Sequence, residues 1–241
     1  FEQQDKRWFM GTKASRTWDY ELAGRQSSTV LGIDTRSDFQ DGVGLYKTEA
    51  RRRLRTVRED DVQETSVGIF GEQNIQVADK VRLTGGLRAD VFYFDVESNN
   101  SDNTRDDWDG IVSPKFGAVF GPWAETEIYL NGGLGFHSND ARGVTIATDP
   151  NTGESVDPAD ALIRTKGAEI GLRTQAVPDL TATLGLWYLE SDSELVYVGD
   201  AGTSEAGPGS RRYGLEFAAY YRPTTWFTVD SELALSHARF K

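Results

Sequence analysis

Val81-Arg82-Leu83-Thr84-Gly85-Gly86-Leu87-Arg88-Ala89-Asp90-Val91-Phe92-Tyr93 alternates with a period of two. Val81, Leu83, Gly85, Leu87, Ala89, Val91 and Tyr93 make one series. Arg82, Thr84, Gly86, Arg88, Asp90 and Phe92 make the other. Successive side chains of a strand point to opposite faces, so this stretch is a strand with one apolar or small face and one mostly polar face.

The same split recurs along the chain. In Thr126–His137, Ile128, Leu130, Gly132, Leu134 and Phe136 oppose Glu127, Tyr129, Asn131, Gly133, Gly135 and His137. Ala168, Ile170, Leu172 and Thr174 oppose Gly167, Glu169, Gly171 and Arg173. Tyr213, Leu215, Phe217, Ala219 and Tyr221 oppose Arg212, Gly214, Glu216, Ala218 and Tyr220. Leu180, Ala182, Leu184, Leu186 and Tyr188 share one side of a further run.

From residue 78 onward short and long connections alternate. The short ones are Ala78–Lys80, Gly121–Glu125, Val177–Asp179 and Pro223–Thr225, and the long polar ones are Ser98–Asp109, Asn139–Leu162 and Val196–Ser210. Earlier, Asp38–Gly42 reads as a short connection, and Trp18–Ser27 and Arg55–Glu64 as longer ones. The total is about eleven strands, many long enough for the 9–11 residues that cross a bilayer with tilt.

Composition removes several function classes. The 241 residues carry 26 Lys+Arg against 38 Asp+Glu, a net charge of −12, which disfavours nucleic-acid binding. There is no Cys, hence no disulfide framework, thiolate nucleophile or Cys-based metal site. Two His leave little for a His-rich metal centre. Mean hydropathy is −0.51, and no apolar run reaches the roughly 18 residues of a membrane helix. A membrane β-barrel is untouched by that test, because its strands need only alternate residues apolar. Phe1-Glu2-Gln3 opens without Met, and no charged-then-apolar leader follows, so the chain reads as a piece of something longer.

A soluble sandwich also alternates, but its strands average about 5–6 residues and its loops need not be short at one end and long at the other. An outer-membrane barrel explains each feature. Lipid demands the apolar face, a wet lumen permits the polar one, and turns are short on one side and loops long on the other. Trp8, Trp123, Trp226, Phe227, Tyr220 and Tyr221 near strand ends suit the aromatic girdles. Leu83, Leu87, Ile128, Leu130, Leu134, Ile170, Leu172, Leu184, Leu186, Leu215 and Phe217 are thus expected to face lipid. Arg88, Asp90, Asn131, Glu169, Arg173 and Glu216 are expected in the lumen.

Ser113-Pro114-Lys115-Phe116-Gly117 is followed by Tyr129-Leu130-Asn131-Gly132-Gly133-Leu134-Gly135-Phe136-His137-Ser138-Asn139-Asp140-Ala141-Arg142-Gly143. Glu169–Arg173, Asp192–Asp200, Ser210–Glu216 and Tyr221-Arg222-Pro223 come next, and Gly86–Asp90 precedes them. In order and spacing over residues 113–223 these resemble the barrel of TonB-dependent outer-membrane receptors. The resemblance implies an all-β fold, an antiparallel meander within a barrel of about 22 strands. Residues 1–241 are then expected to be a partial barrel, without the family's plug domain and C-terminal strands. It also implies uptake of a scarce large solute, by default a ferric siderophore, across the Gram-negative outer membrane, with TonB engaged through the absent plug. The alternatives are a passive porin-like or structural outer-membrane barrel, with Asn139–Leu162 long enough to fold inward, and a soluble carbohydrate-binding sandwich.

His137, on the polar face beside the long loop, and Asn139, Asp140 and Arg142 within the loop are the lumen or loop candidates for substrate binding. A His satisfied by its neighbours is the plainer reading of His137, as interfacial placement is of His237. Asp149–Glu154 alternates oxygen ligands, but its Gly falls at the fifth place rather than the sixth, so a polar tight turn is expected there. Gly199–Gly207 lacks the Gly-Lys-Ser/Thr ending of a phosphate loop and reads as a flexible loop. Arg51-Arg52-Arg53-Leu54-Arg55 is basic, suited to lipopolysaccharide phosphates or acidic loop residues, or to a solvated strand extension. The pairs Asp60-Asp61 and Asp106-Asp107 point to opposite faces and cannot flank one bond. No catalytic order, metal set or cofactor fingerprint is present, so no enzyme, cofactor or metal is predicted.

Overall fold

The computed structural model describes residues 1–198 and 203–241. Its strands are β1 (Glu2–Leu22), β2 (Arg25–Glu49), β3 (Arg52–Ala78), β4 (Val81–Ser98), β5 (Arg105–Trp123), β6 (Thr126–Ser138), β7 (Leu162–Thr174), β8 (Leu180–Ser191), β9 (Glu194–Val198), β10 (Thr203–Gly207), β11 (Ser210–Thr224) and β12 (Phe227–Phe240). Ten form one antiparallel sheet in the order β1-β2-β3-β4-β5-β6-β7-β8-β11-β12, and β9 and β10 pair separately. One helical turn, α1 (Ala141–Val144), lies between β6 and β7. The sheet is open, with β1 and β12 as its edges. The connections at 23–24, 79–80, 124–125, 175–179 and 225–226 fall at one end of the sheet, and 99–104, 139–161, β9 and β10 at the other, together with the two-residue turn at 50–51.

The wall has ten strands rather than about eleven, and most revisions lie before residue 78, although Arg105–Asp109, expected in a loop, opens β5. Asp38–Gly42 is no connection: it lies within β2 at a register shift, where Gly42 takes φ +59 and donates its N–H to Asp61 Oδ1 at 2.7 Å. An extra residue in left-handed geometry makes a β-bulge without ending the strand. Trp18–Ser27 is no long loop, since the ladder runs from Trp18↔Thr29 to Leu22↔Arg25 around a two-residue turn. Arg55–Glu64 lies inside β3, and the β2–β3 turn falls at Ala50-Arg51, inside the basic run. Ala23-Gly24, Ala50-Arg51 and Ala124-Glu125 all take positive φ at both central residues, the type I′ pattern whose twist suits a two-residue hairpin. Of the Gly199–Gly207 stretch, residues 199–202 lie outside the described residues, and Thr203–Gly207 is strand β10 rather than loop. Asp149–Glu154 is a tight turn, with Asp149 Oδ1 accepting the N–H groups of Asn151 (2.7 Å) and Thr152 (2.8 Å).

Register stacks the outward side chains in rows. One row is Ile128–Leu172–Leu184–Phe217–Leu233, and the next is Leu130–Ile170–Leu186–Leu215–Leu235. Most of these are exposed, Leu186 at 52% and Leu235 at 58%, which no packed soluble core would tolerate across whole rows. Above them Tyr188, Tyr213 and His237 form an aromatic row, with Tyr213 and His237 5.2 Å apart. At the other end lie Trp226, 83% exposed, and Phe227. Phe227 and His237 are about 34 Å apart along β12, or about 26 Å along the membrane normal at a tilt near 40°. An outer-membrane apolar band is about 25 Å tall, so these two rows stand where its girdles belong.

Candidate functional site

The inner face carries charge in compensated sets. Asp34, Gly68 and Asp90 align across β2, β3 and β4. Arg88 spans the gap between the two carboxylates. Its Nη1 and Nη2 donate to Asp34 at 2.6 and 2.8 Å, and its Nε donates to both Asp90 oxygens at 2.9 and 2.8 Å. Gly68 leaves the space that the Arg88 guanidinium occupies, and a Cβ there would displace it. Lys115 pairs with Glu72, which also accepts from Asn74 Nδ2 at 2.8 Å. Tyr129 donates to Glu169 Oε1 at 2.9 Å and Asn131 to Oε2 at 3.3 Å, while the glycines at 171 and 185 leave room for the tyrosine. Arg173 pairs with Glu127.

Toward the long-loop end this face turns apolar and is roofed. Residues 139–161 fold inward as an arm, so that Ala141, Val144 and Ala161 pack with Val62 of β3, Phe94 and Val96 of β4, Ile111 of β5 and Leu162 of β7. Phe136 meets Phe92 edge-on at 5.7 Å. Asn103, fully buried, clamps the arm: its Oδ1 accepts from the N–H of Ala147 and Thr148, both at 2.9 Å, and its Nδ2 donates to Thr148 O at 2.9 Å. Arg58, buried and paired with Asp60, donates to the Arg142 carbonyl at 3.2 Å. Beneath the arm lies a cleft of about 420 Å³ lined by Lys13, Phe70, Arg88, Ser113, Lys115 and Phe136, among others.

The arm leaves a seam in the wall. β5 pairs with β4 up to Arg105, but with β6 only as far as Lys115↔Gly133, while β6 stays paired with β7 to Ser138. Residues 108, 110, 112 and 114 of β5 are in one phase, so their backbone groups point to one edge. Arg164 of β7 reaches across to the Val112 carbonyl at 2.5 Å, which marks that edge as the open one. Asp107 Oδ1 accepts the Trp108 N–H at 2.8 Å, and Asp109 Oδ1 the Gly110 N–H at 2.7 Å. Pro114 has no N–H to satisfy. Such masking keeps an edge from pairing with other chains.

Of the four candidate residues, three come together and one stands apart. Asn139 is buried and donates from Nδ2 to Asp160 O at 2.6 Å. Asp140 caps α1, accepting from the Arg142 backbone N–H (2.9 Å), Nε (3.0 Å) and Nη2 (2.6 Å). Burial pushes the Asp140 pKa up, but the Arg142 side chain and N–H and the Arg58 charge outweigh it and hold it below the usual carboxylate value. These contacts fold the arm. His137 is half-buried opposite Ile163, on the face away from Phe136. Asn103, Arg58 and Arg164 were not singled out from sequence: each acts on a partner more than 40 positions away, which leaves no local signature.

The family profile described as TonB dependent receptor-like, beta-barrel matches residues 1–240. The chain belongs to this family. As a member of this outer-membrane family of transport receptors, it has its apolar rows in lipid and its charged sets in the lumen. The ferric-catecholate import receptor Fiu of E. coli K12, in its closed form, superposes with a TM-score of 0.73 at 14% identity over 99% of this chain and 39% of that one. The copper transporter OprC gives 0.72 at 18% identity, over 99% of this chain and 38% of that one. The alcaligin receptor FauA of Bordetella pertussis gives 0.72 at 14% identity, over 99% and 40%. The chain thus spans about two fifths of the length of these solved receptors, and at such identities they share its fold. No curated protein sequence matches it.

Proposed function

We propose that residues 1–241 form wall, mouth and inward arm of a TonB-dependent receptor that takes up a scarce, large solute, by default a ferric siderophore. The observation that carries this reading is the inward arm, held by the Asn103 clamp and an apolar cluster above a polar lumen wall. Such an arm narrows the mouth above a wet interior, as capture of a large solute requires. The mouth would engage the solute through the cleft beneath Phe136, with Asn139, Asp140 and Arg142 setting the shape of the arm. Fiu and FauA, whose names state a ferric catecholate and alcaligin, agree with this cargo class. On this reading energy coupling by TonB acts through a plug outside these residues.

A passive, porin-like barrel is the second reading, favoured by the same arm, since a constriction loop also folds inward. Uptake of radiolabelled ferric siderophores by cells expressing the receptor, with and without TonB, separates the two. Uptake lost with TonB supports the receptor, and uptake that survives without TonB refutes it in favour of the porin.

A further inference from the structure

We propose that the outer surface of β7, β8, β11 and β12 carries a binding site for the phosphate headgroup of an outer-leaflet lipid of the lipid A type. The inference rests on the outer-membrane placement of the sheet and not on the transported solute.

The row directly above Tyr188, Tyr213 and His237 contains Lys166, Glu190, Arg211 and Arg239, and all are in the outward phase. Lys241 and Asp192 complete the group. Lys241 Nζ lies 2.6 Å from Glu190 and 3.5 Å from Asp192, Lys166 lies 3.5 Å from Asp192, and Arg211 lies 3.4 Å from Glu190. Three cations therefore share two carboxylates and a fourth, Arg239, stands beside them, on a chain whose net charge is −12. Arg239 is exposed and has no ion pair among the described residues.

Position identifies the occupant. Leucine rows face the acyl region, the aromatic row marks the interface, and the cations sit one row further out, at headgroup height. An anionic lipid seated there places its chains on Leu186, Leu215 and Leu235 and its phosphates among the guanidinium groups, which bind phosphate through paired N–H donors. The basic run Arg51–Arg55 is a poorer place for this. Arg52 is about 40 Å of strand beyond Thr65, the β3 residue paired with Tyr93, so the run projects well above the headgroups.

The test uses the complete receptor in detergent, titrated with bis-phosphorylated lipid A and read by native mass spectrometry. Dephosphorylated lipid A and inorganic phosphate serve as comparison probes. Arg211→Gln with Arg239→Gln should weaken binding about thirtyfold, since each interfacial cation is worth roughly a fivefold change in affinity. Lys166→Gln, on another strand, should weaken it about fivefold and provides a second route if the double variant does not fold. Arg51→Gln with Arg52→Gln should change nothing. Equal binding of phosphorylated and dephosphorylated lipid A overturns the proposal, as does parent affinity in the β11–β12 variant. Displacement of the lipid by an equal concentration of inorganic phosphate would indicate a free-anion site and overturn it too.

Discussion

Replacing Arg88 by Met keeps most of the side-chain stem and removes the charge that holds Asp34 and Asp90 together. Asp90 is only 3% exposed, so its carboxylate would be left buried and unpaired. Breaking a buried ion pair from one side costs about 3–5 kcal/mol. Asp34 has 28% of its side chain exposed and can recruit water, so its loss adds no more than about 1 kcal/mol. The expected destabilisation of Arg88→Met is therefore about 3–6 kcal/mol. Asp90→Asn in the same background removes the stranded charge and should return a large part of that loss. Urea unfolding of the receptor in lipid vesicles, followed by tryptophan fluorescence, measures both variants, and the cycle should give a coupling of at least about 1.5 kcal/mol. A loss under about 1 kcal/mol, or additive effects of the two changes, would refute the claim that this set is a compensated charge cluster in the lumen.

Other substitutions probe the remaining parts. Leu130→Arg puts a cation in the apolar belt and should cost about 2–4 kcal/mol in the same unfolding assay, and a neutral result would contradict a lipid-facing side chain. Asn103→Ala strips three hydrogen bonds from the arm and should cost about 1–3 kcal/mol locally. A spin label at Val156 should gain mobility in that variant, and an unchanged spectrum would show that Asn103 does not clamp the arm. Asp140 has a folded pKa below its unfolded value near 4, so its contribution to docking is complete above that value and is lost as pH falls through the folded pKa. The Val156 label should stay restricted from pH 7 to about 5 and loosen below about 4, and loosening that begins above pH 6 would assign the switch to another group. Asp107→Ala with Asp109→Ala unmasks the β5 edge and should speed hydrogen exchange at Trp108 and Gly110, and unchanged exchange at both amides would refute the masking.

The second half of the sheet was legible because its strands obey one rule throughout. Leu83–Leu87, Leu130–Leu134 and Leu184–Leu186 alternate with polar or small partners, and Pro or Gly punctuates their turns. The first half hides its boundaries for physical reasons. Ala50-Arg51 and Ala124-Glu125 adopt left-handed geometry without the Asn-Gly or Asp-Gly signal, so only the second, with Gly121-Pro122 nearby, could be placed. Toward the long-loop end β3 buries charge beside apolar residues, Arg58 and Asp60 along with Val57 and Val62, so Arg55–Glu64 loses the apolar–polar alternation that marks a strand. The site was legible only in part. Asp140 and Arg142 lie two positions apart and were found together. The partners that fix the arm, Arg58 on the Arg142 carbonyl and Asn103 on Ala147 and Thr148, come from other strands and loops.

The central claim is that these strands form a barrel wall with apolar rows in lipid and charged sets in the lumen. Residues 1–241 contain no Cys, so within them each introduced thiol is a unique label site. A nitroxide scan of β8 from Leu184 to Tyr188, with the receptor in lipid bilayers, reads oxygen accessibility against that of a water-soluble nickel chelate. The account predicts strict alternation, with Leu184, Leu186 and Tyr188 oxygen-accessible and Gly185 and Trp187 not. Uniform accessibility along the strand, or high nickel accessibility at Leu186, would contradict it.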